Sequence, residues 1–153
     1  MTIKDIFHIN VNCTDLERSR AFYELVGFTV VTELGLGGSA QMLAGLGLDP
    51  SYRARAVLMM LEPDKPRGTR IDLIEWVTPP TTGTAPADLT HVGAVRIALW
   101  TIGIEAEYER LRAAGVEFLS PPVTMGAAGG PSFCCFPDPD GTILELIDFG
   151  GAR

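Results

Sequence analysis

The sequence has few basic residues and no long apolar run, and each shortage excludes a class of partner. Twelve Lys and Arg residues against 19 Asp and Glu residues give a formal net charge of -7 at pH 7. An acidic chain repels phosphate backbones, so nucleic acid is not expected as a partner. No apolar stretch reaches the roughly 18 residues that a membrane helix needs, and the polar first residues do not form a signal peptide. We therefore expect a cytoplasmic protein with no nucleic-acid or membrane partner.

Cysteine is also scarce and occurs only at Cys13, Cys134 and Cys135. Neighbouring residues on a strand point to opposite faces, so Cys134 and Cys135 would make a poor disulfide and a poor chelate. An odd and sparse set of this kind predicts free thiols in a reducing compartment. The sequence also lacks a convincing Ser/His/Asp or Cys/His arrangement of the kind that indicates nucleophilic catalysis.

Hydrophobic residues make up 46% of the 153 positions, which is enough for the core of one domain, and their pattern repeats. In the first half the predicted strands are 6–12, 28–31, 54–62 and 69–77, with a helix from a capping box of Thr14 and Glu17 to Gly27. In the second half the predicted strands are 93–101, 116–119, 132–136 and 142–149, with a helix at 104–114. The remaining segments are a loop with one helical turn at 35–53, a Gly/Pro loop at 121–131 that is either a flap or a solvent loop, and a turn at 138–141.

Counting residues supports the repeat. The interval from His8 to Leu16 equals that from Arg96 to Ile104, and each helix stops at a glycine 11 residues further on. The chain is therefore predicted to be an α+β protein of two βαβββ modules in tandem. The expected boundaries are module one at 1–78, a linker at 79–92 and module two at 93–153. Helices would cover one face of a curved mixed sheet, and the other face would form a concave pocket between the halves.

The repeat equates His8 with Arg96 and Asp72 with Glu145. These polar residues occupy equivalent positions on the first and last strands of each half, so we expect all four side chains to converge in the pocket. A simpler alternative is that His8 packs within its strand and that Arg96 and Glu145 form a structural ion pair.

Other positions follow from the same alternation along the strands. Trp76 and Trp100 lie an even number of residues from the polar positions of their strands, so they share those faces, as pocket lining or as core. Glu75 and Asp148 lie three residues past the two acids and are predicted to face the helices or solvent. His91 is predicted to be a loop residue.

Three segments carry a resemblance to a known family: residues 7–9 (FHI), 15–23 (DLERSRAFY) and 138–146 (DPDGTILEL). In this order they resemble the vicinal oxygen chelate superfamily, which holds glyoxalase I, bleomycin-resistance proteins and extradiol dioxygenases. The resemblance covers nearly the whole chain. It indicates the fold more strongly than the reaction, because this fold supports several chemistries.

The resemblance also implies a role for the four polar positions. In metal-using relatives they are His, Glu or Gln, His and Glu, and here they are His8, Asp72, Arg96 and Glu145. A guanidinium has no lone pair and cannot ligate a metal, but it can neutralise a neighbouring carboxylate. We therefore expect a pocket with no metal and no other cofactor. The alternative is a divalent metal (Zn, Ni, Mn or Fe) held by His8, Asp72 and Glu145. An extradiol dioxygenase is less favoured because that chemistry needs two histidines and a carboxylate.

Two functions fit this set of residues. The first is binding of a small, partly apolar or aromatic compound, as bleomycin-resistance-type relatives sequester drugs in antibiotic resistance. Its ligand-binding residues would be His8, Asp72, Arg96, Glu145, Trp76 and Trp100. The second is an isomerase or lyase of the glyoxalase or epimerase kind, in which Glu145 or Asp72 is the general base and Arg96 or a metal stabilises an enolate. The resemblance further implies a homodimer.

Overall fold

The computed structural model describes residues 2–65, 68–86, 88–126 and 129–150. The chain divides into two compact units, unit 1 at Met1–Gly83 and unit 2 at Thr84–Arg153. The elements of unit 1 are β1 (His8–Asn12), α1 (Leu16–Val26), β2 (Thr29–Gly37), α2 (Ala40–Gly45), β3 (Arg53–Met60) and β4 (Arg70–Thr78). The elements of unit 2 are β5 (Arg96–Trp100), α3 (Ile104–Ala113), β6 (Val123–Thr124), β7 (Ser132–Pro137) and β8 (Ile143–Asp148). The predicted module boundaries at 78 and 93 stay a prediction.

Each unit contains one four-stranded mixed sheet, and the two sheets have the same topology. The strand order is β1-β4-β3-β2 in unit 1 and β5-β8-β7-β6 in unit 2. In both sheets the first and last strands of the unit run parallel side by side, and the other pairs are antiparallel. This confirms the α+β class and the tandem βαβββ plan. Unit 1 differs by the insertion of α2 between its second and third strands.

Strand register confirms the residue counts behind the repeat. Asn10 on β1 lies opposite Asp72 on β4, and Ala98 on β5 lies opposite Glu145 on β8. Asn10 and Ala98 each come two residues after the basic residue of their strand. His8 and Arg96 are therefore equivalent positions in the two sheets, and so are the two acids.

Each sheet buries alternate residues against its helix. In unit 1 the buried strand residues are Val11, Val57, Met59, Ile71 and Leu73, and α1 contributes Leu16, Tyr23 and Val26. In unit 2 the buried strand residues are Ile97, Leu99, Cys134, Phe136, Leu144 and Leu146, and α3 contributes Ile104 and Leu111. Full burial of such an apolar side chain stabilises the fold by about 1.5–3 kcal/mol. The period-two pattern of the strands therefore fixes which face is core.

The start of α1 corrects one expectation. Thr14 was the predicted N-cap, but the cap is Asp15, which has extended backbone angles and accepts a hydrogen bond from Arg18 N at 3.0 Å. Thr14 instead accepts from the Arg18 guanidinium at 2.9 Å. Two adjacent capping residue types compete here, and the carboxylate reaches the free amide one position later than the hydroxyl would. The helix ends as predicted at Gly27, whose φ of 118° favours glycine.

The strand predicted at 116–119 is wrong, and the corresponding strand is β6 at Val123–Thr124. Val116 N still bonds to Leu111 O at the end of α3, and Pro121 and Pro122 have no N–H to donate to a ladder. Leu119 N donates to Cys135 O of β7 at 2.8 Å, but the prolines interrupt this pairing and the ladder forms only at Val123–Thr124. The strand predicted at 28–31 is also longer than expected, because β2 continues to Gly37.

Two connecting segments match their predictions. Within 35–53 the helical turn is α2, whose N-cap Ser39 accepts a hydrogen bond from Met42 N at 3.1 Å. In the turn at 138–141 the Asp138 carboxylate accepts from Asp140 N and Thr142 N at 2.9 and 2.8 Å. The loop at 121–131 is described only in part, since residues 127 and 128 lie outside the described residues.

Cys13, Cys134 and Cys135 are buried free thiols, as the sequence predicted. No helix in the described part of the chain is long and apolar enough to cross a membrane.

Candidate functional site

Two carboxylates identify the helix side of each sheet. Glu75 accepts a hydrogen bond from Leu16 N, the first amide of α1, at 3.4 Å and is also paired with Arg55. Asp148 accepts from Gly103 N and Ile104 N at 2.7 and 3.2 Å, at the start of α3. Backbone donors, with Gly150 N the strongest, lower the pKa of Asp148. Both acids are helix-facing, as predicted.

The opposite side of each sheet is called the open face. Alternation along the strands places Asp72 and Glu145 there, because each lies three residues from the helix-facing acid of its strand. The other open-face residues of β1 and β4 include His8, Asn10, Asn12, Arg70, Ile74 and Trp76. The other open-face residues of β5, β7 and β8 include Arg96, Ala98, Trp100, Phe133, Cys135 and Ile147.

In unit 1 the structure brings His8 and Asp72 together. His8 Nδ1 lies 3.2 Å from Asp72 Oδ2, and the side chains are 39% and 12% exposed. Asp72 Oδ1 is buried and has no hydrogen-bond partner among the described residues. Burial raises the pKa of Asp72, although the charges of His8 and Arg70 oppose this shift. The pair therefore combines an accessible imidazole with a desolvated carboxyl group that has one free oxygen.

In unit 2 the equivalent pair is Arg96 and Glu145. Arg96 Nε lies 2.8 Å from Glu145 Oε2, and the side chains are 51% and 9% exposed. The Cys135 thiol donates to the same oxygen at 3.9 Å. Burial raises the pKa of Cys135, the Glu145 charge raises it further, and Arg96 lowers it. Glu145 Oε2 is therefore already engaged by the guanidinium and by the thiol.

Sequence reasoning missed Arg70 and Cys135, although alternation and hairpin symmetry both point to them. Arg70 comes two residues before Asp72. The alternation that places Asp72 on the open face therefore places Arg70 there as well. Cys135 lies opposite Glu145 in the hairpin centred on the 138–141 turn. The register of this hairpin follows from its turn once the turn is recognised.

The predicted aromatic residues occupy the same open faces. Trp76 Nε1 donates to Asn12 Oδ1 at 3.2 Å, and its ring meets Tyr52 edge-on with centroids 6.1 Å apart. Trp100 is 61% exposed, so this tryptophan is not a core residue. His91 lies in a turn, where its N–H donates to Asp88 O at 3.0 Å, and is a loop residue as predicted.

Neither open-face pair by itself supplies the ligand set of a divalent metal. Arg96 has no lone pair and binds Glu145 Oε2, and the His8–Asp72 pair offers one imidazole and one carboxylate. Among the residues that the structure describes, no group of three or more His, Cys, Asp or Glu side chains could hold a metal ion. The metal-free state stays a prediction, as does the sharing of one pocket by the two pairs.

A separate groove of about 570 Å³ lies in unit 2 beside the end of α3. Its lining includes Tyr108, Arg112, Phe118, Leu119 and Pro121. Neither Arg96 nor Glu145 lines this groove. It is therefore distinct from the open-face pair.

Tandem βαβββ units with a carboxylate at equivalent strand positions define a class of small proteins built from a duplicated module. The chain belongs to the Glyoxalase/Bleomycin resistance protein/Dioxygenase superfamily, whose family model matches residues 5–146. It is 28% identical over 150 residues to the uncharacterized protein YwkD of Bacillus subtilis (strain 168), covering 97% of this chain and 99% of the relative.

Solved structures support the fold. A glyoxalase family protein from Bacillus cereus has a TM-score of 0.77 at 20% identity, with 99% of each chain covered. The genomically encoded fosfomycin resistance protein FosX from Listeria monocytogenes has a TM-score of 0.62 at 18% identity, covering 99% of this chain and 96% of that one. At these identities the likeness shows the fold alone.

Proposed function

We propose that this protein binds a small, partly apolar or aromatic compound without a metal ion, through the open-face pairs and their neighbouring tryptophans. The observation that carries the proposal is the Arg96–Glu145 ion pair. A permanently charged guanidinium occupies a position that a metal ligand takes in metal-using relatives. It neutralises the buried carboxylate, which is the electrostatic task that a cation would otherwise perform.

The spacing of polar and aromatic groups supports a ligand that has both kinds of group. Trp76 lies four residues beyond Asp72 on β4, and Trp100 lies four residues beyond Arg96 on β5. Four residues of strand span about 13 Å. Each open face therefore offers a charged anchor and an indole at a separation that a small drug or metabolite can span.

The test is a binding screen with metal content measured on the same sample. Protein treated with a chelator is titrated with small aromatic compounds, followed by calorimetry and tryptophan fluorescence. Saturable binding by metal-free protein, weakened in Trp100→Ala, is the expected result. Tight stoichiometric uptake of Ni, Zn or Mn that disappears in Glu145→Ala would overturn the metal-free part. Ligand binding only after metal is restored would overturn it too.

A second candidate function is an isomerase or lyase with Asp72 as general base. It is favoured by the buried, unpartnered Oδ1 of Asp72 and by the raised pKa of this carboxyl. Glu145 is the weaker candidate base because its Oε2 is bound by Arg96 and Cys135. Exchange of a substrate α-proton in deuterated water, lost in Asp72→Asn, would support this function. Tight binding of a compound without proton exchange would leave sequestration as the supported function.

Drug sequestration, a homodimeric state and a cytoplasmic location accompany the binding function as proposals. The likeness to FosX supports resistance-type binding only through the shared fold. Light scattering of the purified chain over a range of concentrations tests the dimer. Growth of a host expressing the chain in the presence of aromatic antibiotics tests sequestration, and unchanged growth with every compound that binds in vitro would contradict it.

A further inference from the structure

Arg70 is a charged residue of the unit 1 open face that the proposed function does not use. It lies on β4 two residues before Asp72, so the two side chains share a face. It also pairs in register with His8 on β1 and with Met60 on β3. The guanidinium is therefore a neighbour of the His8–Asp72 pair.

Arg70 makes no hydrogen bond and no ion pair within the described chain. Its Nε is buried and makes no hydrogen bond there, and Asp72 is paired with His8 instead. Every other arginine that the structure describes donates to a carboxylate, a hydroxyl or a backbone carbonyl. Those arginines are Arg18, Arg20, Arg53, Arg55, Arg96, Arg110 and Arg112. Since an unsatisfied buried donor costs free energy, a missing acceptor at Arg70 needs an explanation.

The surroundings hold the guanidinium without supplying that acceptor. Arg70 Cζ lies 4.6 Å from the centroid of the Phe7 ring, which packs over it in a cation–π contact. The Phe7 ring in turn lies 5.2 Å from the His8 ring, and Phe7 is 63% exposed. A ring face accepts no conventional hydrogen bond, so the contact with Phe7 leaves the hydrogen-bonding capacity of the guanidinium unused.

We propose that Arg70 binds the oxyanion group of the small molecule, a carboxylate or a phosphate-type group, so that the ligand class is a small aromatic acid. This rests on the proposed function. The chain has 19 acidic residues, yet none of the described ones forms an ion pair with Arg70. Burial raises the pKa of Asp72 and the Arg70 charge lowers it, but that carboxylate is paired with His8, so the guanidinium can still take up an anion of the ligand. A guanidinium fork matches both oxyanions with two parallel hydrogen bonds, and Phe7 supplies an apolar surface beside it.

The test compares charged and neutral probes of similar shape. Benzoate, phenyl phosphate and benzyl alcohol are titrated by calorimetry into the wild type, Arg70→Gln, Arg70→Lys and Arg20→Gln. Arg20 is an ion-paired arginine of the same unit, so Arg20→Gln makes the same change in net charge away from the open face. Circular dichroism melting confirms that each variant is folded.

The expected result is that benzoate binds the wild type more tightly than benzyl alcohol and loses about tenfold or more in affinity in Arg70→Gln. Arg20→Gln should leave the affinity unchanged. If Arg70→Gln does not fold, Arg70→Lys carries the test. It keeps the charge but loses the fork, so it should weaken benzoate more than phenyl phosphate, because a lysine still binds a phosphate group as a point charge.

Two outcomes would overturn the inference in distinguishable ways. Equal affinity for benzoate and benzyl alcohol, unchanged in either Arg70 variant, removes the role of Arg70 while the proposed binding function stands. Failure of every aromatic probe to bind the wild type removes the proposed function and the anion subsite with it.

Discussion

Unit 1 and unit 2 place a carboxylate at the same strand position, but the groups around it differ. Asp72 is paired with an imidazole, keeps one oxygen free and lies beside the unpaired Arg70. Glu145 is paired with a guanidinium and also accepts from a thiol. The imidazole has a ring nitrogen that can accept a hydrogen bond, whereas the guanidinium only donates.

This difference teaches that the duplicated modules have diverged in electrostatics while keeping their architecture. In unit 2 the carboxylate charge is balanced by Arg96, so this pair is suited to presenting a fixed charge distribution and a fixed shape to a ligand. In unit 1 Asp72 Oδ1 and the Arg70 guanidinium make no hydrogen bond with any described residue, so this face is the better candidate for a polar ligand group or for proton transfer. Both the similar cores and the different open faces of the two units can be tested by mutation.

The largest expected effect concerns the equivalent buried leucines Leu73 and Leu146. Each lies one residue past the acid of its strand and packs on the helix side. Leu73→Ala and Leu146→Ala should each lower the free energy of unfolding by about 2–5 kcal/mol, since each leaves a cavity in a closely packed core. Urea denaturation followed by circular dichroism measures both. A loss below about 1 kcal/mol in only one variant would contradict equivalent cores.

Arg96→His should raise the metal affinity of unit 2 above that of the wild type. The change replaces a group without a lone pair by an imidazole next to Glu145 and Cys135, which can both ligate Zn. We expect Zn affinity to rise by at least about tenfold, equal to about 1.4 kcal/mol. Calorimetry measures it, with Arg96→Gln as the matched control because it removes the charge without adding a ligand. Equal affinity of the two variants would refute the prediction.

The reactivity of Cys135 should respond in opposite directions to its two neighbours. Because the Glu145 charge raises the pKa of Cys135 and Arg96 lowers it, Glu145→Gln should speed alkylation at fixed pH and Arg96→Gln should slow it. Several-fold changes in rate are expected. Peptide mapping after iodoacetamide treatment over a pH series measures each cysteine separately. Cys13 of unit 1 is the internal control and should change little. Cys134, whose pKa is raised to about 11 chiefly by burial and less by the Glu145 charge, should respond in the same direction to Glu145→Gln.

Asp72→Asn should stabilise unit 1 at neutral pH. Burial raises the folded-state pKa of Asp72 above 3.8, so the ionised carboxylate is a cost at every pH above that folded value. The cost fades as pH falls through the folded pKa towards 3.8, and the advantage of the variant should fade with it. Thermal unfolding between pH 3.5 and 7.5 measures the difference. Asp64→Asn, the same change at an exposed site of unit 1, should show no such trend.

The smallest expected effect concerns Asp148 on the helix face of unit 2. Backbone donors lower its folded-state pKa below 3.8, so its contribution to stability is present above pH 3.8 and is lost as pH falls through the folded value. Asp148→Asn should lower the Tm modestly at neutral pH and not at all at the lowest pH. Glu75→Gln is the comparison in unit 1. Its effect on α1 should be smaller because Asp15 also caps that helix, and a larger Tm loss would contradict the comparison.

Local patterns predicted most of the fold. The spacing from His8 to Leu16 and from Arg96 to Ile104 identified the two modules, and alternation placed Asp72 and Glu145 on one face and Glu75 and Asp148 on the other. The errors came where neighbouring residues favour different positions for the same feature. Thr14 and Asp15 are both capping residues. The apolar residues at 116–119 predicted a strand there, but after the prolines at 121 and 122 the strand forms at 123–124.

The sequence by itself determined the tandem modules, the buried face of each sheet and the positions of the four polar residues, because period and spacing are properties of the local chain. Only the tertiary structure decided that His8 meets Asp72, that Cys135 shares an oxygen of Glu145 with Arg96, and that Arg70 packs on Phe7 without a hydrogen bond to any described residue. These contacts join strands that are distant in sequence. They depend on strand register and on side-chain rotamers, which packing selects and local sequence does not encode.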